Sequence, residues 1–149
     1  MALCMRYTKN EHDAVEVLNQ GFLKVFLHIK RYERAQASLY TWIRTIVVNS
    51  CLDFVKQKTR SWQHHELDRA TEVHIDAEVI NKMGVSLLLQ LVRQLPAATQ
   101  AVFNLYAIEG YNHKEIGRLL NISEGTSKWH LSEARKSLQQ MIRLQEVHI

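Results

Sequence analysis

The sequence predicts an all-α protein: two small helical domains joined by a linker, the C-terminal one a helix-turn-helix of the winged-helix-like DNA-binding class. Three observations lead there. Apolar residues, 46% of the 149, recur at three- and four-residue steps through most of the chain, which is the period of an amphipathic helix. One Pro and five Gly are too few to punctuate a sheet protein of many short strands. Charge falls in blocks: residues 1–60 hold ten Lys/Arg against five Asp/Glu, residues 61–84 two against five, and residues 85–149 seven against five. Two basic blocks flank an acidic one, so the expected domains are 1–60 and 85–149, with an acidic linker at 61–84.

The elements follow in order. Residues 1–9 are apolar and helical in tone but begin with no cap. Asn10 can cap the next helix, with Asp13 three residues on. From there Ala14, Val17, Leu18, Gly21, Phe22, Val25, Phe26 and Ile29 mark one apolar face. The basic stretch His28 to Ala37 breaks the pattern and reads as a loop or a frayed end. Ser38 then caps a second long helix. Its expected buried stripe is Leu39, Trp42, Ile43, Ile46, Val47, Cys51 and Phe54, and it runs out in the cations of Lys56 to Arg60. Ser61 to Lys82 is polar, acidic and weakly periodic. Val85 to Leu95 is a short, very apolar helix. Pro96 ends it and suits the first turn of the next, whose inner face is expected at Val102, Phe103, Tyr106 and Ala107, up to Gly110 as a left-handed C′ residue.

The stretch Asn112 to Leu138 carries the functional argument. HKEIGRLL, His113 to Leu120, is preceded by Asn112 with Glu115 in the capping-box position. A second pattern starts at Glu124, with Ser123 as N-cap. Two helices joined by a short turn, the second flanked by bases, form the helix-turn-helix signature. The second helix should turn Ser127, Leu131, Ala134 and Leu138 inward and Lys128, Trp129, Ser132, Glu133, Arg135 and Lys136 outward. Lys128 is early enough to reach a base edge or a phosphate; Arg135 and Lys136 suit the backbone. Trp129 suits a thymine methyl or the helical core equally. The competing account is a plain helical hairpin with a solvated basic face.

The first basic block combines cations with rings: Tyr32 in the loop, then Tyr40, Arg44 and Asn49 off the buried stripe. Single strands are held by such mixtures, although an ordinary amphipathic helix explains the residues as well or better. A net charge of +4 and a pI near 9.2 fit a nucleic-acid partner without requiring one. Cys4 and Cys51 read as reduced thiols. His64 and His65 are adjacent and lack a cysteine at zinc spacing, so neither metal nor cofactor is expected. No GxSxG, HExxH or phosphate-cradling glycine loop points to catalysis. No apolar run approaches the roughly 18–20 residues of a membrane span, and no cleavable leader opens the chain, so the cytoplasm is the expected compartment.

Three stretches also resemble a known family. DAVEVLNQGFLKVF, Asp13 to Phe26, is similar to the D-A-E-D-L-x-Q-E-x-F helix of extracytoplasmic-function (ECF) sigma factors, in the sigma-70 family of bacterial RNA polymerase. SLYTWIRTIVVNSCLDFVKQK, Ser38 to Lys58, resembles their S-F-x-x-W-L-x-x-I-A-x-N-x-x-x-D-x-x-R helix. Leu95 to Leu138 resembles their C-terminal domain almost throughout, most specifically in EGYNHKEIGRLLNISEGTSK. The resemblance implies a DNA-binding transcription initiation protein that is not an enzyme. Its partners would be the RNA polymerase core, through the clamp, and promoter DNA, with an anti-sigma factor as a further possible regulator and no membrane insertion. Asp13, Glu16, Gln20 and Phe22 would meet the polymerase. Tyr32, Tyr40, Arg44, Asn49 and Lys56 would serve the −10 element. Lys128, Trp129 and Ser132, with Glu133, Arg135 and Lys136 beside them, would serve the −35 element. The chain begins inside what the family shows as its first helix, giving an N-terminally shortened first domain. It departs from the pattern at Val15 and Gln20, where the family carries carboxylates, at Trp129 in place of a small residue, and at Glu133, where some members have Arg. The alternative function is a stand-alone helix-turn-helix regulator that binds duplex DNA without polymerase.

Overall fold

The computed structural model describes residues 1–58 and 85–146, and among these every regular element is helical. The acidic stretch expected as a linker, with its three histidines, lies outside the described residues, as do the last two residues of the cationic run ending at Arg60. The chain divides into two compact units, Met1–Lys58 and Thr59–Ile149. No helix of the described residues is long and apolar enough to cross a membrane.

The first unit is a helix pair. A 3-10 turn, Cys4–Arg6, leads into α1, Glu11–His28, which ends in a second 3-10 turn, Ile29–Arg31. Helix α2 spans Leu39–Lys58. Both starts are capped as their sequence suggests. Asp13 donates its backbone N–H to Asn10 Oδ1 at 2.8 Å, and Thr41 donates its own to Ser38 Oγ at 3.1 Å; each bond satisfies a donor that the first turn of a helix leaves unpaired. The helices meet along Ala14, Val17, Gly21 and Val25 on α1 and Val47, Val48, Cys51, Leu52 and Val55 on α2. They approach closely at Gly21, where an added Cβ would lie 3.2 Å from Val47 Cγ2. Two ion pairs flank the seam, Lys24 to Asp53 at 3.0 Å and Lys58 to Asp13 at 2.8 Å.

The buried row differs from the expected faces. Phe22, Phe26 and Ile29 are exposed, Phe26 at 77%. Leu39, expected to lead the stripe of α2, is also exposed, and Trp42, Ile43, Ile46 and Phe54 are only half-buried. The cause is geometric. Apolar residues cover more of each helix than one facing helix can shield, so only the row in direct register with the partner is buried. On α2 that row is shifted toward Val48, Leu52 and Val55.

The second unit stacks four helices. Helix α3, Val85–Gln94, sets Leu91 and Val92, with Leu95 just beyond it, against Ala134, Leu138 and Ile142 of the last helix. Helix α4, Ala97–Phe103, starts at Pro96, whose carbonyl accepts from Gln100 N at 2.8 Å. It continues into a wide turn, Asn104–Ile108, closed by Glu109 N donating to Asn104 O at 3.0 Å. That wide turn corrects the expected inner face. It inserts a residue relative to α-helical register, so Asn104 and Leu105 are buried while Tyr106 and Ala107 face outward. Gly110 follows at φ 79°, left-handed as its position suggests. Helices α5, His113–Leu120, and α6, Glu124–Glu146, complete the unit.

The shifted seam of the first unit has a measurable consequence. Leu52 is 1% exposed and Leu39 is 45% exposed. We expect Leu52→Ala to cost about 2–5 kcal/mol of first-unit stability, the range for a truncated core leucine. Leu39→Ala should cost roughly 0.5 kcal/mol or less, as for surface changes. Urea unfolding of the full chain and both variants measures the contrast.

Candidate nucleic-acid interface

Helices α5 and α6 are held at a fixed angle by a turn with little slack. Asn112 and Glu115 close a full capping box: Glu115 N donates to Asn112 Oδ1 at 2.9 Å and Asn112 N to Glu115 Oε2 at 2.8 Å. At the other end Asn121 adopts a left-handed backbone, φ 56° and ψ 47°, and Ile122 N donates to Gly117 O at 3.0 Å. Ser123 Oγ then caps α6, accepting from Thr126 N at 3.0 Å. The turn works only because residue 117 lacks a side chain. A Cβ there would sit 2.8 Å from the Ile122 carbonyl oxygen. Residue-level reasoning had not singled out Gly117, but a signal existed: a glycine inside a helix is costly unless packing requires it.

Side-chain bonds pin α6 further. His113 Nδ1 lies 2.9 Å from Ser127 Oγ, joining α5 to α6, and Tyr106 stacks on His113 at 4.7 Å between ring centroids. Buried Thr99 Oγ1 and His130 Nδ1 are 3.0 Å apart, joining α4 to α6. Burial, then the charge of Lys128, pushes the His113 pKa below its ordinary 6.5. A neutral imidazole therefore sits behind the first turns of α6.

The expected inward stripe of α6, Ser127, Leu131, Ala134 and Leu138, is fully buried. Of the residues expected to face outward, Lys128 is exposed and pairs with Glu124 at 2.9 Å. This bond holds the Glu124 carboxyl below its usual range. Glu133, Arg135 and Lys136 are half-buried. Trp129, which suited surface and core equally, is half-buried with its ring edge-on to His130 at 4.9 Å. Ser132 corrects the expectation, because it is 7% exposed. A one-carbon side chain does not rise above the long stems at 128 and 136, one turn to either side.

In the first unit, Tyr40 and Asn49 are exposed, and Arg44 and Lys56 are half-buried. Tyr32 is no open platform. Its hydroxyl donates to Ala37 O at 3.1 Å and its ring lies 5.5 Å from that of Trp42, so it shapes the basic loop from within. On α1, Glu16 accepts from Gln20 at 3.2 Å, and Phe22 is exposed. Asp13 is engaged by Lys58, whose hydrogen bond is the main cause of its lowered pKa. His12, Asp13 and Glu16 bring ligand atoms within 4.8 Å of one another, a grouping the sequence had not suggested, though the Lys58 ammonium already occupies Asp13.

Comparison with known proteins matches both units in chain order. Residues 1–61 fit the family model of sigma-70 region 2, and residues 86–138 fit that of sigma-70 region 4.

The chain belongs to the sigma-70 family.

Its similar relatives carry ECF names, which puts it in the ECF branch of that family. It is 28% identical over 142 residues to the ECF RNA polymerase sigma factor SigE of Mycolicibacterium smegmatis, covering 91% of this chain and 54% of that protein. Against SigW of Bacillus subtilis identity is 23%, covering 95% of this chain and 81% of the relative. Against SigM of the same organism it is 24%, covering 88% and 80%. The chain thus spans about half of one relative and four-fifths of two others. The region 4 match takes in the whole turn from Gly117 to Ser123 together with the first half of α6.

Two outcomes follow from this geometry. In an open helix Gly→Ala would stabilise by about 1 kcal/mol. At 117 the added carbon meets backbone, so we expect Gly117→Ala to destabilise by roughly 1–3 kcal/mol instead, read by thermal unfolding. The second concerns pH. Because the folded pKa of His113 lies below 6.5, the unfolded chain takes up that proton first. The contribution of neutral His113 is complete above the unfolded value and is lost as pH falls through the folded one. The melting temperature should therefore drop between about pH 7 and pH 5, before carboxylates titrate, and His113→Gln should flatten that slope.

Proposed function

We propose that the chain is an ECF sigma factor: it binds RNA polymerase core and directs transcription initiation at specific promoters. The observation that carries this is the pairing, in one chain, of a sigma-70 region 2 unit with a region 4 helix-turn-helix. The protein acts by binding and carries out no chemical step of its own.

The first unit would dock through α1. Phe22 is 51% exposed, and Leu23, Phe26 and Leu27 are exposed beside it. An apolar patch this concentrated is characteristic of a protein-binding face, and Glu16, Gln20 and Asp13 border it with hydrogen-bonding groups. The stand-alone regulator gives that face nothing to do, which is why the polymerase reading is preferred. The loop around Tyr32, with Tyr40, Arg44, Asn49 and Lys56 of α2, would take the −10 element, cations tracking phosphate while the exposed Tyr40 ring offers a stacking surface. In the second unit α6 would enter the major groove at the −35 element. Lys128 is its exposed early cation, Trp129 and Glu133 lie on the neighbouring surface, and Arg135 and Lys136 suit the flanking phosphates. Ser132, being buried, would support the helix from below. The compartment is that of the polymerase, the cytoplasm. An anti-sigma factor remains a further partner consistent with an exposed apolar α1.

Reconstitution with core polymerase tests the proposal. The chain should co-elute with core and support transcription from a promoter template. Failure of both would overturn it, and duplex binding indifferent to core would favour the stand-alone regulator. Lys128→Ala should lower promoter output roughly tenfold, the scale of one lost base or phosphate contact, and leave co-elution intact. Phe22→Ala should do the reverse, weakening core binding by about tenfold.

A further inference from the structure

The two cysteines of the sequence meet inside the first unit. Cys4 lies in the turn Cys4–Arg6, which packs on both α1 and α2, and Cys51 lies on the inward row of α2. Both are completely buried, and they are not joined in a disulfide. The Cys51 thiol is hydrogen-bonded to the Cys4 sulfur, so the two side chains face one another. The surroundings are otherwise apolar, with Tyr7, Ala14, Val17, Val48 and Leu52 among the buried residues of the unit.

A buried thiol in apolar surroundings is ordinarily inert, because burial disfavours the thiolate. Here the hydrogen bond from Cys51 outweighs burial and pulls the Cys4 pKa down to about 7. Near neutral pH a substantial share of Cys4 is thus nucleophilic, with a second sulfur alongside. A low-pKa cysteine next to a resolving cysteine is the arrangement of a thiol that oxidises reversibly.

We propose that Cys4 and Cys51 form a peroxide-oxidisable pair that closes a reversible disulfide between the N-terminal turn and α2. The Cys4 thiolate attacks one oxygen of hydrogen peroxide; the O–O bond breaks, and the leaving hydroxide takes a proton and departs as water. Cys4 is then a sulfenic acid. The Cys51 sulfur attacks the Cys4 sulfur, the S–S bond forms, the S–O bond breaks, and the departing hydroxide carries the Cys51 proton away as a second water. Two thiols lose two electrons in total and one peroxide gains them. The oxidant enters by local opening of the turn, a short 3-10 segment held by bonds such as Arg6 N to Leu3 O at 3.1 Å and Tyr7 N to Cys4 O at 3.0 Å. The disulfide ties the turn to α2 across most of the unit's sequence, which constrains the unfolded chain and makes the oxidised unit harder to unfold. This proposal is independent of the polymerase and promoter assignments.

The test treats the full folded chain with hydrogen peroxide at neutral pH, counts thiols after denaturation, and maps peptides without reductant. The expected result is joint loss of both thiols, a Cys4–Cys51 cross-linked peptide two hydrogens lighter than its parts, reversal by dithiothreitol, and a higher melting temperature for the oxidised form. Cys51→Ser should give no intramolecular cross-link and leave Cys4 to proceed to sulfinic acid. Sulfinic or sulfonic acid in the unsubstituted chain without the cross-link would overturn the proposal. So would disulfides formed only between two copies, or thiols that survive peroxide consuming them in the urea-unfolded chain. The result on the unsubstituted chain decides the matter even where a serine variant fails to fold.

Discussion

What α6 can present to a partner depends on how closely the backbone turns between Gly117 and Ser123. The Ile122 carbonyl oxygen comes so near that a Cβ at 117 would lie 2.8 Å away. This approach, the left-handed Asn121 and the Ser123 cap together set where α6 begins and which residues fall in its first turn. Lys128 and Trp129 owe their position to that start. Moving the turn by one residue would rotate the exposed arc by about 100° and present a different set of side chains. The bonds from His113 to Ser127 and from Thr99 to His130 hold the rotation once it is set.

The first unit solves a different problem. It has one major helix-helix seam and more apolar surface than that seam can cover. Ala14, Val17, Gly21 and Val25 suffice to pack α1, with Gly21 allowing close approach to Val47. Phe22, Leu23, Phe26 and Leu27 remain outside. Their exposure adds nothing to the unit's own stability and is a standing aggregation risk. A sequence that retains such residues on one helix is better explained by a partner that covers them than by the fold of the unit itself.

This difference also explains what could be read from the sequence. Caps were legible: Asn10, Ser38, Asn112 with Glu115, and Ser123 all satisfy helix starts as expected, because a cap depends on a few neighbouring residues. Gly110 was legible for the same reason, since a left-handed C′ residue is a local requirement. Burial was less so. Phe26 and Leu39 lie on sound helical stripes, yet whether a stripe is covered depends on how many elements pack against it, which periodicity does not encode. The wide turn at Asn104–Ile108 defeated the pattern differently: the sequence there is compatible with regular helix, and the extra residue becomes apparent only in the bond from Glu109 N to Asn104 O. Ser132 failed because a helical wheel gives direction but not reach.

The charges at the start of α6 need a comparison of magnitudes. Lys128 spends its free state paired with Glu124 at 2.9 Å, both side chains about half exposed. A solvent-exposed i,i+4 pair is worth roughly 0.3–0.5 kcal/mol, whereas a well-formed contact to a base edge is worth about 1–3 kcal/mol. On the proposed function the lysine therefore gives up little on moving to DNA. Glu124 stays behind, next to the phosphates. Out of register, it would face phosphate with no lysine to neutralise it, and like charges brought together raise the energy of the misaligned complex. The pair thus weakens every encounter slightly and the misaligned ones most, which turns a small loss of affinity into selectivity for the correct register. Glu133, one half-buried carboxylate further along the same helix, extends this repulsive element toward Arg135 and Lys136, so α6 recognises by what it rejects as well as by what it holds.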